Sequence, residues 1–216
     1  MPFERTVVKP PGFDALDPDL LLKQAPAVST WQQSAVTRPR LVLVAGLPGT
    51  GKTTLARSLA GQIDATYLRV DAIETAIQVA RQDTAQVGAK GYFVCHFLSR
   101  LNLQLGHDVV VDAVCPVPES RFGWAVTAQE GGGELIVLET SLPDPAEHRR
   151  RVEARLPDMP GQRVPDWQWV QSLDWTHWEP ERDGDRTVID TTTREGALDA
   201  ALAVVGPAGA TPGAPA

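Results

Sequence analysis

The residues best suited to chemistry lie in one glycine-rich turn. Gly46 to Thr53 read G-L-P-G-T-G-K-T and match the pattern G-x-x-x-x-G-K-[ST] in full. Glycines let the backbone wrap closely around phosphate oxygens, so that successive amide N–H groups converge on them. The Lys52 ammonium reaches the β- and γ-phosphates, and the Thr53 hydroxyl is a ligand for Mg²⁺. The pattern predicts a nucleoside triphosphate site made of Gly46, Leu47, Pro48, Gly49, Thr50, Gly51, Lys52, Thr53 and Thr54.

The surroundings of this turn argue against a chance match. An apolar strand, Leu41–Ala45, precedes the turn, and an amphipathic helix over 52–62 follows it. That order is what phosphate binding requires, because the amino end of the helix offers free N–H groups and the positive end of its dipole to the anion.

Two acidic residues follow apolar strands elsewhere in the chain. Asp71 comes directly after the predicted strand Thr66–Val70, at the carboxyl end where open α/β sheets bind ligands. Asp71 also suits the N-cap of the next helix, with Glu74 as a capping-box partner. Asp112 lies in the apolar run V-V-V-D-A-V, where an unpartnered charge is costly, and a carboxylate at this place can hold Mg²⁺.

Composition narrows the class of protein. The chain has 216 residues, 43% of them hydrophobic, and a formal net charge of −7. This balance argues against a general nucleic-acid or anionic-membrane surface. No apolar run reaches the roughly 18 residues of a membrane helix, and the amino-terminal residues do not read as a signal peptide, so a cytoplasmic protein is expected. Cys95 and Cys115 lie in apolar stretches and are predicted to be buried thiols.

Short apolar runs alternate with helical patterns along the middle of the chain, which predicts an α/β fold with a parallel sheet covered by helices. The predicted strands are Leu41–Ala45, Thr66–Val70, Val109–Val114, Leu135–Glu139 and Thr187–Ile189. The predicted helices span 52–62, 71–82, 90–105, 117–131, 145–156 and 195–205. Residues 1–38 are expected to form a Pro-rich extension with one short helix near 18–24. Residues 39–205 form the main domain, with a lid and tryptophan-containing region at about 145–182, and 206–216 form a disordered tail.

The absence of certain sequence motifs excludes several classes of P-loop protein. The chain has no Asn-Lys-x-Asp sequence, which a GTPase needs to recognise guanine, and no Leu-Ser-Gly-Gly-Gln signature of transporter ATPases. It is also short for a ring-forming ATPase with a helical lid domain. Small kinases remain as the leading class.

Four blocks of sequence resemble a known family of small kinases. The blocks G-L-P-G-T-G-K-T-T-L-A, Y-L-R-V-D-A-I-E-T-A-I, L-G-H-D-V-V-V-D-A-V-C-P-V-P-E-S-R and E-H-R-R-R-V-E-A-R occur in this order between residues 46 and 155. They resemble the zeta-toxin and chloramphenicol-phosphotransferase-like P-loop kinases, a group often labelled AAA family ATPases. The resemblance covers about residues 40–192. It implies a three-layer sandwich with a five-stranded parallel sheet in the order 2-3-1-4-5, and a small helical lid.

The same resemblance implies roles for several residues. The acid at the place of Asp71 accepts the proton of the substrate hydroxyl in such kinases. Arginines at the places of Arg151 and Arg155, predicted to share one helical face, close over the transferred phosphate. Arg149 and Arg150 could substitute for them, and a solvated basic face is the alternative. Arg121 matches an arginine that often follows this strand in the family, where it could bind an anionic substrate, and the alternative is a solvated helix face.

Four of the six tryptophans lie in one stretch, residues 156–183, called the Trp-rich segment below. Trp167 and Trp175 could stack on a planar or sugar-like acceptor. The alternative is that these rings build the small core of a lid together with the helix predicted over 145–156.

The sequence thus predicts an ATP- and Mg²⁺-dependent phosphotransferase that acts on a hydroxyl of a small molecule. Its catalytic residues would be Lys52, Asp71, Arg151 and Arg155, and its metal ligands Thr53 and Asp112. Two alternatives stay open: a nucleotide-dependent regulatory ATPase without a small acceptor, and a nucleic-acid end kinase, which the acidic balance disfavours.

Overall fold

The computed structural model describes residues 38–207. Its elements along the chain are β1 (Arg40–Ala45), α1 (Lys52–Ile63), β2 (Thr66–Arg69), α2 (Val70–Arg81), α3 (Lys90–Gln104), β3 (Val109–Asp112), α4 (Glu119–Glu130), β4 (Glu134–Ser141), α5 (Pro145–Glu153), α6 (Trp167–Ser172), α7 (Pro180–Asp183), β5 (Thr187–Asp190) and α8 (Arg194–Val205). The predicted helix near 18–24 and most of the predicted tail lie outside the described residues.

The five strands form one parallel sheet in the order β2-β3-β1-β4-β5. The predicted α/β fold and its strand order are therefore confirmed. All six residues of β1 are buried, as expected for the central strand of a sheet covered on both faces. Within residues 38–207, no helix is long and apolar enough to cross a membrane.

Two apolar layers flank the sheet. One layer is formed by α3 and α4 and includes Tyr92, Cys95, Leu103 and Trp124. The other is formed by α1 and α8, whose small and branched side chains pack on the opposite face of β1. Both cysteines are buried free thiols, as predicted, and burial raises the pKa of each to about 12.

Local sequence explains where the helices next to the site begin. α1 starts at Lys52, directly after Gly51 in a left-handed conformation. α5 starts with Pro145 after the N-cap Asp144, whose side chain accepts a hydrogen bond from the Ala146 amide. Because parallel strands end at the same edge, the residues after β1, β2 and β3 meet above the amino end of α1.

Candidate active site

The phosphate-binding turn closes against two other elements. Gly46 and Gly49 have φ values of 136° and 86°. A Cβ on Gly46 would lie 2.4 Å from Thr140 Oγ1 of β4, and one on Gly49 would lie 2.4 Å from Val152 Cγ2 of α5. The glycines of the motif are therefore needed for close packing as well as for backbone conformation.

This packing leads to a prediction for Gly49→Ala. Alanine would have to adopt the left-handed conformation and push against Val152, so we expect the unfolding free energy to fall by at least about 2 kcal/mol. The matched control is Gly61→Ala in α1, where a Cβ meets no atom within 4 Å. That control should raise the unfolding free energy by about 0.5–1 kcal/mol. Urea unfolding measures both, and equal effects would contradict the packing argument.

Lys52 lies under the turn and is 7% exposed. Its Nζ donates a hydrogen bond to the Leu47 carbonyl at 2.8 Å. Burial lowers the pKa of Lys52, and the carboxylates of Asp112 and Asp71 oppose this shift. The Lys52 ammonium is thus held by a backbone carbonyl of the turn, and the carboxylates of Asp112 and Asp71 are near it.

Thr53 and Asp112 face each other across the edge of the sheet. Thr53 Oγ1 donates to Asp112 Oδ2 at 2.6 Å, and the Tyr67 hydroxyl donates to the same oxygen at 3.0 Å. Burial and then the Asp112 carboxylate raise the pKa of Tyr67, so this phenol stays a donor.

The Thr53–Asp112 pair fits the predicted Mg²⁺. Mg²⁺ prefers oxygen ligands, and nucleotide sites supply few from the protein and the rest from phosphate and water. Among residues 38–207, no three His, Cys, Asp or Glu side chains are grouped to hold a metal on their own. The hydroxyl and carboxylate here match such a small donor set.

One buried arginine joins three carboxylates. Arg69 has a side chain that is 2% exposed, and its Nη1 donates to both carboxylate oxygens of Asp158 at 2.9 and 2.8 Å. Its Nη2 donates to Asp71 Oδ2 at 3.2 Å, and its Nε lies 3.6 Å from Asp112 Oδ2. Arg57 of α1 also donates to Asp158, at 2.9 Å. This cluster connects the Trp-rich segment to the ends of β2 and β3.

Asp71 lies at the second position of α2 rather than at its N-cap. The helix begins at Val70, its N-cap is Arg69, and no side chain caps it. The capping alternative for Asp71 is therefore wrong. The carboxylate is 43% exposed and lies between Arg69 and Arg155, whose Nη2 is 3.8 Å away. A half-exposed carboxylate held between two guanidinium groups is accessible to a substrate.

Glu74 follows one turn later on the same face of α2. Its side chain packs on α3, where a Cβ on Gly91 would lie 2.4 Å from Glu74 Cγ and 2.8 Å from Oε1. Burial, and then the negative charge of Asp71, raise the pKa of Glu74 to about 7. Glu74 is therefore partly protonated at neutral pH.

The raised pKa of Glu74 gives a pH prediction. The folded protein keeps the Glu74 proton up to about pH 7, whereas the unfolded chain loses it near pH 4.5. The stability of the wild type therefore falls across this window as the pH rises. The unfolding free energy of Glu74→Gln, measured relative to that of the wild type, should therefore rise by about 1–3 kcal/mol from pH 5 to pH 8. Urea unfolding at several pH values measures this gain, and a difference that does not change with pH would contradict it.

A cavity of about 600 Å³ lies above the amino end of α1, in the size range of ligand pockets. Its walls come from α1, from α5 with the residues after it, and from the loop after β5. The charged residues in these walls are Lys52, Arg57, Glu147, Arg150, Arg151, Arg155, Asp158 and Arg194. Lys52 at its base and several arginines around it make it suited to a polyanion.

The lid arginines are arranged differently from the prediction. α5 ends at Glu153, so Arg155 lies beyond it, and the predicted single helical face for Arg151 and Arg155 is wrong. Arg151 donates to the carbonyls of Thr191 and Thr192 at 2.9 and 3.0 Å. Arg155 instead lies at the border between the cavity and Asp71. Arg149 pairs with Glu153 and is not a cavity residue, whereas Arg150 is.

Arg121 is a buried residue, so its solvated-face alternative is wrong. Its side chain is 1% exposed and paired with Asp183 at 2.9 Å. The guanidinium also donates to the carbonyls of Cys115, Pro116 and Thr176. It lies 4.7 Å from the Trp178 ring and 5.7 Å from the Trp175 ring. Arg121 and Trp175 thus join the Trp-rich segment to the loop after β3, and substrate contact by either remains only a prediction.

Trp167 packs against the lid helix. It starts α6 and meets the His148 ring edge-on, at 5.2 Å between centroids. His148 Nε2 is in turn 2.8 Å from the Pro48 carbonyl of the phosphate-binding turn. Trp167 supports the lid through these contacts, and stacking on an acceptor likewise remains a prediction.

The sequence reasoning missed several residues of the site. Arg69, Asp158 and Arg57 were not predicted, although an arginine inside a short apolar strand is a signal because a buried charge needs partners. Thr191, which donates to the Thr50 carbonyl at 2.6 Å, was also missed. Apart from this position of Arg69, no local pattern marks these residues, because their partners are far away in the sequence.

The fold and this loop together define a P-loop nucleotide-binding protein. The chain belongs to the AAA_33 family, described as an AAA domain, which matches residues 41–177.

Sequence similarity to a kinase supports the predicted class. Gluconokinase from Gluconobacter oxydans (strain 621H) is 26% identical over an alignment of 133 residues, and the alignment covers 59% of this chain and 72% of that protein. Two further curated relatives are longer proteins, of which the chain spans only 9% and 15%.

Solved structures of kinases share the fold. An unliganded sugar kinase from Janibacter sp. HTCC2649 has a TM-score of 0.58 at 18% identity, covering 82% of this chain and 99% of that one. A gluconokinase from Sinorhizobium meliloti 1021 has a TM-score of 0.51 at 17% identity, covering 77% and 91%. These structures show the shared fold. The sequence match to the gluconokinase agrees with the predicted class, an ATP-dependent small-molecule kinase, and it leaves the acceptor unspecified.

Proposed function

We propose that this protein transfers the γ-phosphate of ATP to a hydroxyl of a small polyhydroxy acceptor of the sugar or sugar-acid class. The observation that carries the proposal is the Arg69 guanidinium, which contacts Asp71 on one side and lies beside Asp112 on the other. It places the candidate base next to the candidate metal carboxylate. Similarity to a gluconokinase supports the class of acceptor. The four sequence blocks support placement within the zeta-toxin and chloramphenicol-phosphotransferase-like group.

The 600 Å³ cavity would hold the nucleotide. The loop amides and Lys52 would bind its phosphates, and Lys52 would exchange its contact with the Leu47 carbonyl for phosphate oxygens. Arg151, fixed to the loop after β5, would line the nucleotide side of the lid. Thr53 and Asp112 would hold Mg²⁺, which supplies charge neutralisation for the phosphate oxygens when bound.

Asp71 would act on the acceptor. The acceptor oxygen attacks the γ-phosphorus, its proton passes to the Asp71 carboxylate, and the bond from the γ-phosphorus to the bridging oxygen breaks to release ADP. Arg155, at the border of the cavity and beside Asp71, would stabilise the charge on the transferred group. The protein contributes position and charge, since little covalent work remains for it.

Product analysis with γ-labelled ATP and Mg²⁺ tests this function. The acceptors would be gluconate, neutral sugars, nucleosides and a 5′-hydroxyl oligonucleotide, each tested alone. We expect label on a sugar or sugar acid, and none with Lys52→Ala. Label on the oligonucleotide would indicate an end kinase. Label found only in inorganic phosphate would favour the regulatory ATPase.

A further inference from the structure

A narrow apolar stripe runs along the outer face of α3. It consists of Val94, Leu98, Leu101 and Leu105, which are 40%, 38%, 52% and 73% exposed. At 100° per residue these four side chains fall within an arc of about 60°. The opposite face of the helix, with Tyr92, Cys95 and Leu103, is buried on the sheet. These four residues are separated by four, three and four positions. Apolar residues at this spacing are typical of the face by which one helix packs against another segment.

The position of the stripe points to the chain's own amino-terminal part. The described chain starts at Arg38, and both the Pro39 carbonyl and the Leu103 side chain lie within contact range of Gly133. The chain therefore enters the fold beside the carboxyl end of α3. The exposed fraction of the stripe is largest at this end, at Leu105.

Only one of the two stretches outside the described residues has the side chains to cover this stripe. Residues 208–216 contain only Gly, Ala, Thr and Pro. Residues 1–37 contain three consecutive leucines, Leu20 to Leu22, as well as Trp31 and Val36. Fifteen helical residues span about 22 Å, and a chain of this length reaches far beyond that distance.

The size of the stripe disfavours a second copy of the chain as its occupant. The stripe is about 18 Å long and one helix wide, roughly 10 Å, so it offers about 200 Å². A stable dimer interface buries about 800 Å² from each partner. A tethered segment needs far less area, because its attachment to β1 gives it a high effective concentration.

We propose that the amino-terminal segment, residues 1–37, docks its apolar residues on the α3 stripe. The segment thereby covers the side of the domain formed by α3, outside the nucleotide cavity. The proposal is independent of the phosphotransfer activity.

Limited trypsin digestion of the full chain tests the docking. Cleavage after Lys23, next to the three leucines, reports whether the segment is bound, and cleavage after Arg163, an exposed residue outside the segment, serves as an internal reference. We expect Leu101→Glu/Leu105→Glu to speed cleavage at Lys23 at least about tenfold relative to Arg163, since docking worth 1.4 kcal/mol gives such a factor. Leu21→Glu, which changes the amino-terminal segment instead of the stripe, should speed cleavage at Lys23 in the same way.

Phe122→Glu is the matched control, because Phe122 is a similarly exposed apolar residue on α4, 56% exposed. The rate of cleavage after Lys23 in Phe122→Glu should equal that of the wild type. Should the double variant fail to fold, Leu105→Gln at the most exposed position replaces it. Equal cleavage in wild type and stripe variants would overturn the proposal. So would rapid cleavage of a wild type that sedimentation velocity shows to be a dimer, a result that would assign the stripe to a second copy.

Discussion

Asp71→Asn is expected to lower kcat for phosphate transfer by about 10²- to 10⁴-fold, the usual contribution of a general base. Asparagine keeps the size of the side chain and can still contact Arg69 and Arg155, but it cannot take a proton from the acceptor. ATP affinity should change little, because Asp71 is not among the residues lining the nucleotide cavity. Steady-state kinetics with the acceptor found by label transfer, together with ATP titration by calorimetry, measure the two quantities.

The control for this prediction is Asp83→Asn, just after α2. Asp83 is an exposed acid whose side chain pairs with Arg81, so its variant should keep wild-type kcat. If Asp71→Asn keeps more than about a tenth of the wild-type kcat, Asp71 is not the base. In that case Glu74, one turn away on α2, would be the next candidate for the base, and its substitution would test that role.

Arg121→Leu should lower the unfolding free energy by about 3 kcal/mol, at the low end of the cost of breaking a buried ion pair, because Arg182 still pairs with Asp183. The Asp183 side chain is 1% exposed, and three backbone carbonyls would also lose their donor. We expect the Trp-rich segment to detach first, because Arg121 connects it to the loop after β3. Urea unfolding followed by tryptophan fluorescence and by far-UV circular dichroism should therefore give two separate transitions.

Arg182→Leu provides a matched control, since Arg182 pairs with the same Asp183 from the surface. Its side chain is 36% exposed, and such pairs contribute about 0–1 kcal/mol. The double change Arg121→Leu/Asp183→Leu should recover part of the loss, because it removes a buried carboxylate that would keep only Arg182 as its charged partner. A loss below about 1 kcal/mol in Arg121→Leu would show that the segment is held by other contacts.

Much of the fold was predictable because its signals are local. The strand at Leu41–Ala45 was predicted within one residue of its observed bounds, since a continuous apolar run identifies a strand buried on both faces. α5 was predicted to reach residue 156 but ends at Glu153, because Pro157 disfavours the helical conformation at the residue before it and Ala154 and Arg155 give no signal for where the last turn ends. α6 and α7, of six and four residues, are too short for a helical period to show.

The site was predictable where one sequence block carries the chemistry. The turn from Gly46 to Thr53 could be predicted to bind phosphate, because the whole motif lies in one stretch of eight residues. Asp112 could be identified as an acid that ends an apolar strand. The contact of Arg69 with Asp158 could not be predicted, because 89 residues separate them and no periodicity joins them. The same holds for Arg121, whose partner Asp183 is 62 residues away.

The sharing of Arg69 among Asp71, Asp112 and Asp158 has a consequence for the energetics of variants. Arg69 donates hydrogen bonds to Asp158 and Asp71 and lies within ion-pair distance of Asp112, so loss of any one carboxylate changes the interaction of the guanidinium with the other two. Substitutions at these positions should then be strongly non-additive in double-mutant cycles, with coupling energies of about 0.5–3 kcal/mol. Such epistasis would make Asp158, which has no proposed role in the chemical step, a position at which sequence changes alter the tolerance of the other two to substitution.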